Sequence, residues 1–596
     1  MCGIFGLVGF NNKATEIVLN GLKKLEYRGY DSFGIGIQEK AKKIFTIHKQ
    51  TGEIEHAKNP FPNVQTNFAI GHTRWATHGG VTEENAHPHT SNNKEIILVH
   101  NGIFENHQKV RKHLIEKGYH FDSETDTEVA AVLLEELLKT NSTLKALQIL
   151  SQTLHGRYAL VVKVLSENKL YTIRNGSPVI IGVTNKNHYF IASDIPAFLE
   201  HTNVVNYLDD NQMVEFTIEN DICEKKFYDT LTLKEISKRD IQVDLNKEDS
   251  ELGEFEHFMI KEIMEQKESL LRACNQDPEL ISEIASYINN SQDVYFVGCG
   301  TTGVVSMCAR YLFAKIAKKK VHFEYGSEFS HLNEILEPNS VVIGISQSGE
   351  TIDTLEAIEM ANSKNCKTVC ITNVENSTIS RASDKTILIN AGIEKAVAST
   401  KATTSQIGIT MLLAFACINK STQAKQILHD TSGKINDMLN PRYENILLKL
   451  AAKIKDTQDM YIIGKGINFP VAKEAAIKIQ EITYIHAEAF AGGELKHGPL
   501  ALIKEKTPVI AIASIDENYA DIISNATEIK SRGGFIIGIS PKPNEIFDIW
   551  LKVPEHTVDA AIINLIPIQL LSYFIGILKN NNPDKPRNLA KSVTVK

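Results

Sequence analysis

The sequence predicts an α+β unit with substantial sheet, followed by two α/β units built on doubly wound parallel sheets. Three observations carry this. Short or alternating apolar runs dominate the first 240 residues, as in FAIGHTRWA, EIILVHNGIF, YALVVKVL and HYFIASD. Beyond about residue 255 the texture changes to apolar runs alternating with helical patterns, as successive βαβ units require. That second texture also repeats. DVYFVGCG at Asp293 matches DMYIIGKG at Asp459, VVIGIS at Val341 matches PVIAIAS at Pro508, and TVCITN at Thr368 matches FIIGIS at Phe535. The offset stays near roughly 165 residues, the mark of a duplicated unit. A chain of 596 residues is also too long for one core.

Taken in order, the chain opens on the apolar run MCGIFGLVGF and continues into the helical pattern ATEIVLNGLKKLEY. A second helix is expected at TEVAAVLLEELLKT, where apolar residues recur three and four apart. The first domain is expected over 2–240. The polar, charged stretch SKRDIQVDLNKEDSELGEF then reads as a linker, placed at 241–255. HFMIKEIMEQKESLLRA is an amphipathic helix leading into the repeats, expected at 285–424 and 450–585. A tail is expected at 586–596, within DKPRNLAKSVTVK, and has no core-forming pattern. AAIINLIPIQLLSYFIGIL, from Ala560, approaches membrane-spanning length, but Asn564, Pro567, Gln569 and Ser572 interrupt it. A buried helix is expected there.

Composition is that of an ordinary globular chain, with 42% hydrophobic and 23% charged residues. A net charge of −8 and the absence of Lys/Arg blocks argue against nucleic acid as a partner. Eight cysteines without paired spacing point to reduced thiols, and the glycine-interrupted N-terminus lacks the basic lead of a signal peptide. A cytoplasmic protein that binds neither nucleic acid nor membrane is expected.

The second residue is the first candidate for chemistry. With Met1 removed, Cys2 would carry a thiol and a free α-amine on one residue, and such an amine can act as the nucleophile's own base. HTRWATHG offers Arg74, Trp75, Thr77 and His78; NAHPH offers His87; SETDTE offers Asp126. HNGIFEN offers Asn101 and Gly102, a side-chain amide beside a flexible backbone N–H, which suits an oxyanion hole. MCGI, LEYRGYDS, GHTRWATHG, HPH, HNGI-EN and SETDTE, in this order, resemble the glutamine amidotransferase domain of the N-terminal-nucleophile class. The resemblance implies that Cys2 attacks the glutamine amide, that a glutamyl thioester forms and is hydrolysed, and that Asn101 and Gly102 hold the oxyanion. It further implies that Arg74 binds the α-carboxylate and Asp126 the α-ammonium. Thr77, His78 and His87 would line the pocket, and Trp75 would gate the passage of ammonia.

In the second half, SQSGETIDT follows the strand VVIGI and precedes a helix. Ser346, Gln347, Ser348 and Thr351, with a glycine, make a phosphate cradle of hydroxyls and backbone N–H groups. GCGTT ends another strand and adds Thr301 and Thr302. The loop has no P-loop lysine, and GCGTTG is not the dinucleotide fingerprint, so a small phosphorylated molecule fits best. The second copy reads ASIDENY at the corresponding loop and is not expected to hold phosphate. It carries Lys478 and Glu481 instead, three apart on one helix face, and His497 in ELKHGPLALI. A surface salt bridge would explain the Lys478–Glu481 pair equally well.

The repeat with this loop resembles sugar isomerase (SIS) domains. With ELKHGPLALI and LAKSVTVK, the whole chain resembles the isomerising, glutamine-dependent aminotransferases of sugar phosphates. That resemblance implies glutamine and fructose 6-phosphate as substrates, no metal or other cofactor, and a homodimer. Lys591 would form a Schiff base with the sugar C2, His497 would open the ring from a neighbouring subunit, and Glu481 would move the proton between C1 and C2 beside Lys478. Thr301, Thr302, Ser346, Gln347, Ser348 and Thr351 would bind the sugar phosphate, with Val397, Ser399 and Ala590 also contacting the sugar. Thr302 stands where serine is common, and GVVS and EYGSEFSHL depart from the usual pattern. Two readings stay open on the residues alone: an enzyme of this architecture acting on another phosphorylated ketose or a sugar–amine adduct, and a sugar-phosphate sensor. A sensor needs neither the Cys2 start nor a tail lysine.

Overall fold

The computed structural model describes residues 2–9, 11, 13–39, 44–62, 64–185, 188–220, 222–243 and 251–594. Met1 and residues 244–250 of the expected linker lie outside them. The chain forms two compact units, Met1–Glu251 together with Ala590–Lys596, and Leu252–Leu589.

The first unit is a four-layer sandwich. One antiparallel sheet has eight strands, with Gly3–Gly9 between His188–Ala192 and Thr66–Arg74 near its centre. The other has seven, including Ile96–Gly102 and Tyr158–Val164. The alternation of strand side chains builds the layers. Ile4 and Val8 face the second sheet and pack with its Ile97, Val99 and Val161. Phe5 and Leu7 point the other way, onto Val18 and Leu22 of the helix Ala14–Lys24. On the far side of the second sheet, Ile96 and Leu98 pack against the helices Asp126–Leu138 and Thr143–Thr153. A strand covered on both faces has no polar face, which is why GIFGLVG shows no apolar–polar alternation.

The linker expected from 241 begins inside this sandwich. Ile241–Gln242 is a strand paired with Val204–Tyr207, and Val243 is buried in the core. Its polar sequence reflects an edge position rather than a free connection.

The second unit contains two five-stranded parallel sheets of identical order. In the first, Val294–Gly298 lies between His322–Tyr325 and Val341–Ser346; in the second, Asp459–Gly464 lies between His486–Ala491 and Pro508–Ile512. One continuous apolar core joins the two copies and includes the helices Lys401–Ala416 and Ile566–Leu578. Residues Ala560–Leu578 have a composition apolar enough to cross a membrane, yet most of the stretch is buried within this core. Its polar interruptions are bonded there. Asn564 Nδ2 donates to Asn468 Oδ1 at 3.0 Å, and Gln569 Oε1 accepts from Gln266 Nε2 at 2.7 Å.

Candidate active sites

Cys2 sits at the head of the strand Gly3–Gly9, half-buried, with Trp75 N donating to its Sγ at 3.3 Å. Its carbonyl accepts from Asn101 Nδ2 at 3.0 Å and from Arg28 Nε at 3.3 Å. Asn101 Nδ2 also donates to Ser193 Oγ at 2.7 Å. The amide expected in an oxyanion hole thus holds the backbone of the expected nucleophile. Burial pushes the Cys2 thiol above its ordinary range, while the Trp75 N–H and the Arg74 guanidinium pull the other way. A thiol held protonated in this way needs a base to become a nucleophile.

Gly102 follows Asn101 at φ +124, and a Cβ there would lie 2.0 Å from the Arg157 carbonyl oxygen. Only glycine fits this position. Arg74 directs its guanidinium into the adjoining loop, donating to the carbonyls of His78 at 2.5 Å, Gly79 at 3.2 Å and Gly80 at 2.9 Å. Thr77 is exposed and His78 half-buried on that loop, and Trp75 packs edge-on against Tyr30.

Asp126 begins the helix Asp126–Leu138, is buried, and accepts from Phe104 N at 2.8 Å. The sequence folds this way locally because Thr125 caps that helix, accepting from Glu128 N, while Glu128 reaches back to Ser123 N at 2.7 Å. His87 lies deeper than a pocket-lining residue. It stacks on His72 at 3.9 Å, its Nδ1 accepts from His100 N, and its Nε2 pairs with Thr127 Oγ1 at 3.2 Å. Burial holds its pKa well below the usual histidine value, together with those of His89, His72 (about 3) and His100 (about 4). This neutral histidine cluster was not legible as a unit, because its members come from three separate segments.

In the second unit GCGTT and SQSGET end the two strands at which the sheet order reverses, where open α/β sheets hold ligands. Ser346 Oγ accepts from Gly349 N at 3.0 Å and pairs with Thr351 Oγ1 at 3.0 Å. Gly349 has φ +65, and a Cβ there would lie 1.9 Å from Ser377 Oγ. The Gln347 carbonyl accepts from Asn373 N at 3.0 Å, and Ser348 Oγ accepts from Glu350 N at 3.2 Å. Thr351 is the N-cap of the helix Ile352–Ser363 and makes no side-chain cap bond, so that helix start turns its N–H groups to the loop.

The second copy has Ala513 at the place of Ser346, followed by Ser514. Its hydroxyl is engaged by Asn468, Asn564 and His556, and the acidic Asp516 and Glu517 follow. Ile515 in place of Ser348 removes a hydroxyl, and Asp516 in place of Gly349 adds a carboxylate that disfavours an anion.

The two threonines of GCGTT act inward. Thr302 Oγ1 accepts from Cys299 N at 2.9 Å, and Thr301 Oγ1 donates to Glu474 Oε1 at 3.1 Å. Glu474 belongs to the helix Asn468–Thr483 and was missed in sequence, although it stands four residues before Lys478 on one face. Lys478 is fully buried, 2.6 Å from Glu481 Oε2 and 3.4 Å from Glu474 Oε1. Burial lowers the Lys478 pKa, but the two carboxylates outweigh it and hold the ammonium above its ordinary value. Burial raises Glu474 to about 7. This is no surface salt bridge.

Val397 is buried, its N–H bonded to the Asp584 carbonyl at 3.0 Å, and Ser399 Oγ donates to Glu394 at 3.1 Å. His497 is exposed at the end of the turn Gly492–His497. Ala590 and Lys591 are half-buried and fall in the unit formed by Met1–Glu251 with Ala590–Lys596.

These two sites define a class: a glutamine amidotransferase domain joined to a pair of SIS domains. The glutamine amidotransferase domain family matches residues 57–238, and the SIS domain family matches 287–416 and 453–574. Glutamine–fructose-6-phosphate aminotransferases (isomerising) of Pyrococcus horikoshii and Thermococcus kodakarensis are 40% and 39% identical, each over 100% of both chains. The solved C-terminal domain of glucosamine-fructose-6-phosphate aminotransferase from Francisella tularensis covers 56% of this chain and 99% of its own. It is 31% identical with a TM-score of 0.53. The chain belongs to the glutamine–fructose-6-phosphate aminotransferases (isomerising), a family of enzymes.

Proposed function

We propose that the enzyme hydrolyses glutamine at Cys2 and delivers the ammonia to fructose 6-phosphate, forming glucosamine 6-phosphate and glutamate. The observation that carries this is a continuous polar path within the second unit. It runs from the GCGTT loop through Thr301 and Glu474 to Lys478 and Glu481, joining a phosphate-type loop to a buried acid–base group.

In the first unit the Cys2 thiol, with Met1 removed, gives its proton to the α-amine and attacks the glutamine amide carbon. The Gly102 N–H stabilises the oxyanion, joined by Asn101 once its amide turns from the Cys2 carbonyl; ammonia leaves, and water hydrolyses the thioester. Arg74 and Asp126 take the ends of the amino acid, Thr77 and His78 shape the pocket with His87 packed behind them, and Trp75 controls ammonia passage.

In the second unit Ser346, Gln347, Ser348, Thr351 and Thr302 bind the phosphate. Thr301 supports them from behind, and Val397, Ser399 and Ala590 contact the sugar. His497, exposed and therefore able to serve a neighbouring subunit of a homodimer, protonates the ring oxygen on opening. Lys591 condenses with the C2 carbonyl, releasing water, and ammonia displaces the lysine. Glu481 then takes a proton from C1 and returns it to C2, so C1 becomes the aldehyde carbon and C2 carries the amine. No external oxidant or reductant is required. The polar composition and buried apolar helix support a cytoplasmic location.

The test is a pair of variants of the full chain. Cys2→Ala abolishes glutamate release while fructose 6-phosphate still binds. Lys591→Arg leaves glutamate release and removes amino-sugar formation. Glutamate release by Cys2→Ala at the parent rate would overturn the assignment of the nucleophile.

A further inference from the structure

The segment EKAVAST has no regular secondary structure up to the helix Lys401–Ala416, and its backbone is held by three acidic residues. Glu262 Oε1 accepts from Lys395 N at 2.5 Å and Ala396 N at 3.2 Å. The Asp584 carbonyl accepts from Val397 N at 3.0 Å. Glu394, within the segment, accepts from Ser399 Oγ at 3.1 Å, Thr400 N at 2.9 Å and Ala402 N at 3.1 Å. Glu262 and Glu394 are buried.

Two of these holders come from the same place. Glu262 lies on the helix Phe258–Met264, the first helix after residues 244–250. Asp584 fixes the start of that helix, its Oδ2 accepting from Phe258 N at 2.8 Å and its Oδ1 from Met259 N at 2.7 Å. Asp584 also lies six residues before Ala590, at the base of the C-terminal tail. One residue therefore joins a helix start through its carboxylate and the segment through its carbonyl. Charged acceptors make the stronger hydrogen bonds, and a buried N–H left without its acceptor is costly.

We propose that Asp584 and Glu262 are positioning residues for the sugar site. They fix the Lys395–Ser399 backbone and the departure point of the tail against the helix Phe258–Met264. The proposal rests on the reading of Val397 and Ser399 as sugar contacts. Neither residue touches sugar; both act through the segment.

Steady-state synthesis by the full-length enzyme, with fructose 6-phosphate varied at saturating glutamine, tests this. Ser399→Ala is the control for the sugar contact and raises KM for fructose 6-phosphate. Asp584→Asn loses an acceptor at one of two N–H groups, and it raises that KM about tenfold. Glu262→Ala does the same, and Glu262→Gln, which keeps one acceptor oxygen, returns KM to within about twofold of the parent. Glutamine hydrolysis without sugar is unchanged in all three Asp584 and Glu262 variants. A raised KM in Ser399→Ala with parental KM in Asp584→Asn and Glu262→Ala would overturn the proposal, as would a lowered melting temperature with KM unmoved. Parental KM in Ser399→Ala would instead remove the sugar-contact reading beneath it. Should Asp584→Asn fail to fold, the contrast between Glu262→Ala and Glu262→Gln decides.

Discussion

Thr301, at the start of the helix Thr301–Ile316 that follows the strand Val294–Gly298 of one SIS copy, donates a hydrogen bond to the buried carboxylate of Glu474 in the other, at 3.1 Å. This bond links the two duplicated domains. The phosphate-type loop comes from the first copy and the Glu474–Lys478–Glu481 group from the second. The second copy reads ASIDENY where the first has SQSGET, and it carries the Lys478–Glu481 pair.

Glu474 makes this link sensitive to pH. Its folded pKa is about 7, raised by burial above the ordinary carboxyl value of 4.5. Between these values the folded protein keeps a proton that the unfolded chain has released, so stability falls as pH rises through that window. The slope is about 1.4 kcal/mol per pH unit for one group. Glu474→Gln should flatten the change in melting temperature between pH 5 and pH 7. An unchanged slope in the variant would show that another group is responsible.

The histidine cluster predicts the opposite trend for the first unit. His72 and His100 have folded pKa values near 3 and 4, and His87 and His89 are held well below normal, all by burial. The unfolded chain takes up protons below pH 6.5 that the folded unit refuses, so stability present above that value is lost as pH falls toward 4. Each group adds about 1.4 kcal/mol per pH unit. Hydrogen exchange at pH 7 and pH 5 should show protection falling first in the strands Thr66–Arg74 and Ile96–Gly102. Equal loss in both units would contradict this.

Gly102→Ala places a Cβ against the Arg157 carbonyl in a backbone region alanine avoids. Glutamate release should fall by a factor of about a hundred or more, the scale for loss of one oxyanion donor. Fructose 6-phosphate binding, measured by calorimetry, should stay at the parent value. A variant that hydrolyses glutamine normally would remove the Gly102 N–H from the mechanism.

Much of this was legible in the sequence where local pattern is sufficient. The repeat, the parallel sheets and SQSGET follow from short apolar strands and a turn that only small polar residues satisfy. The four-layer sandwich was not, because strands buried on both faces, such as Gly3–Gly9, lose the alternation that reveals a sheet face. Ile241–Gln242 read as linker because an edge strand of two residues carries too little apolar surface to register. Glu474 was hidden differently. A carboxylate on an amphipathic helix reads as solvated until the partners that bury it are known, and Thr301 lies 173 residues away.

The central claim is that one chain moves the amide nitrogen of glutamine onto fructose 6-phosphate. The direct measurement is incubation of the full-length enzyme with glutamine labelled with nitrogen-15 at the amide, together with fructose 6-phosphate, followed by mass spectrometry of the products. The account predicts labelled glucosamine 6-phosphate and an equal amount of glutamate. Glutamate and free labelled ammonia beside unchanged fructose 6-phosphate would contradict it.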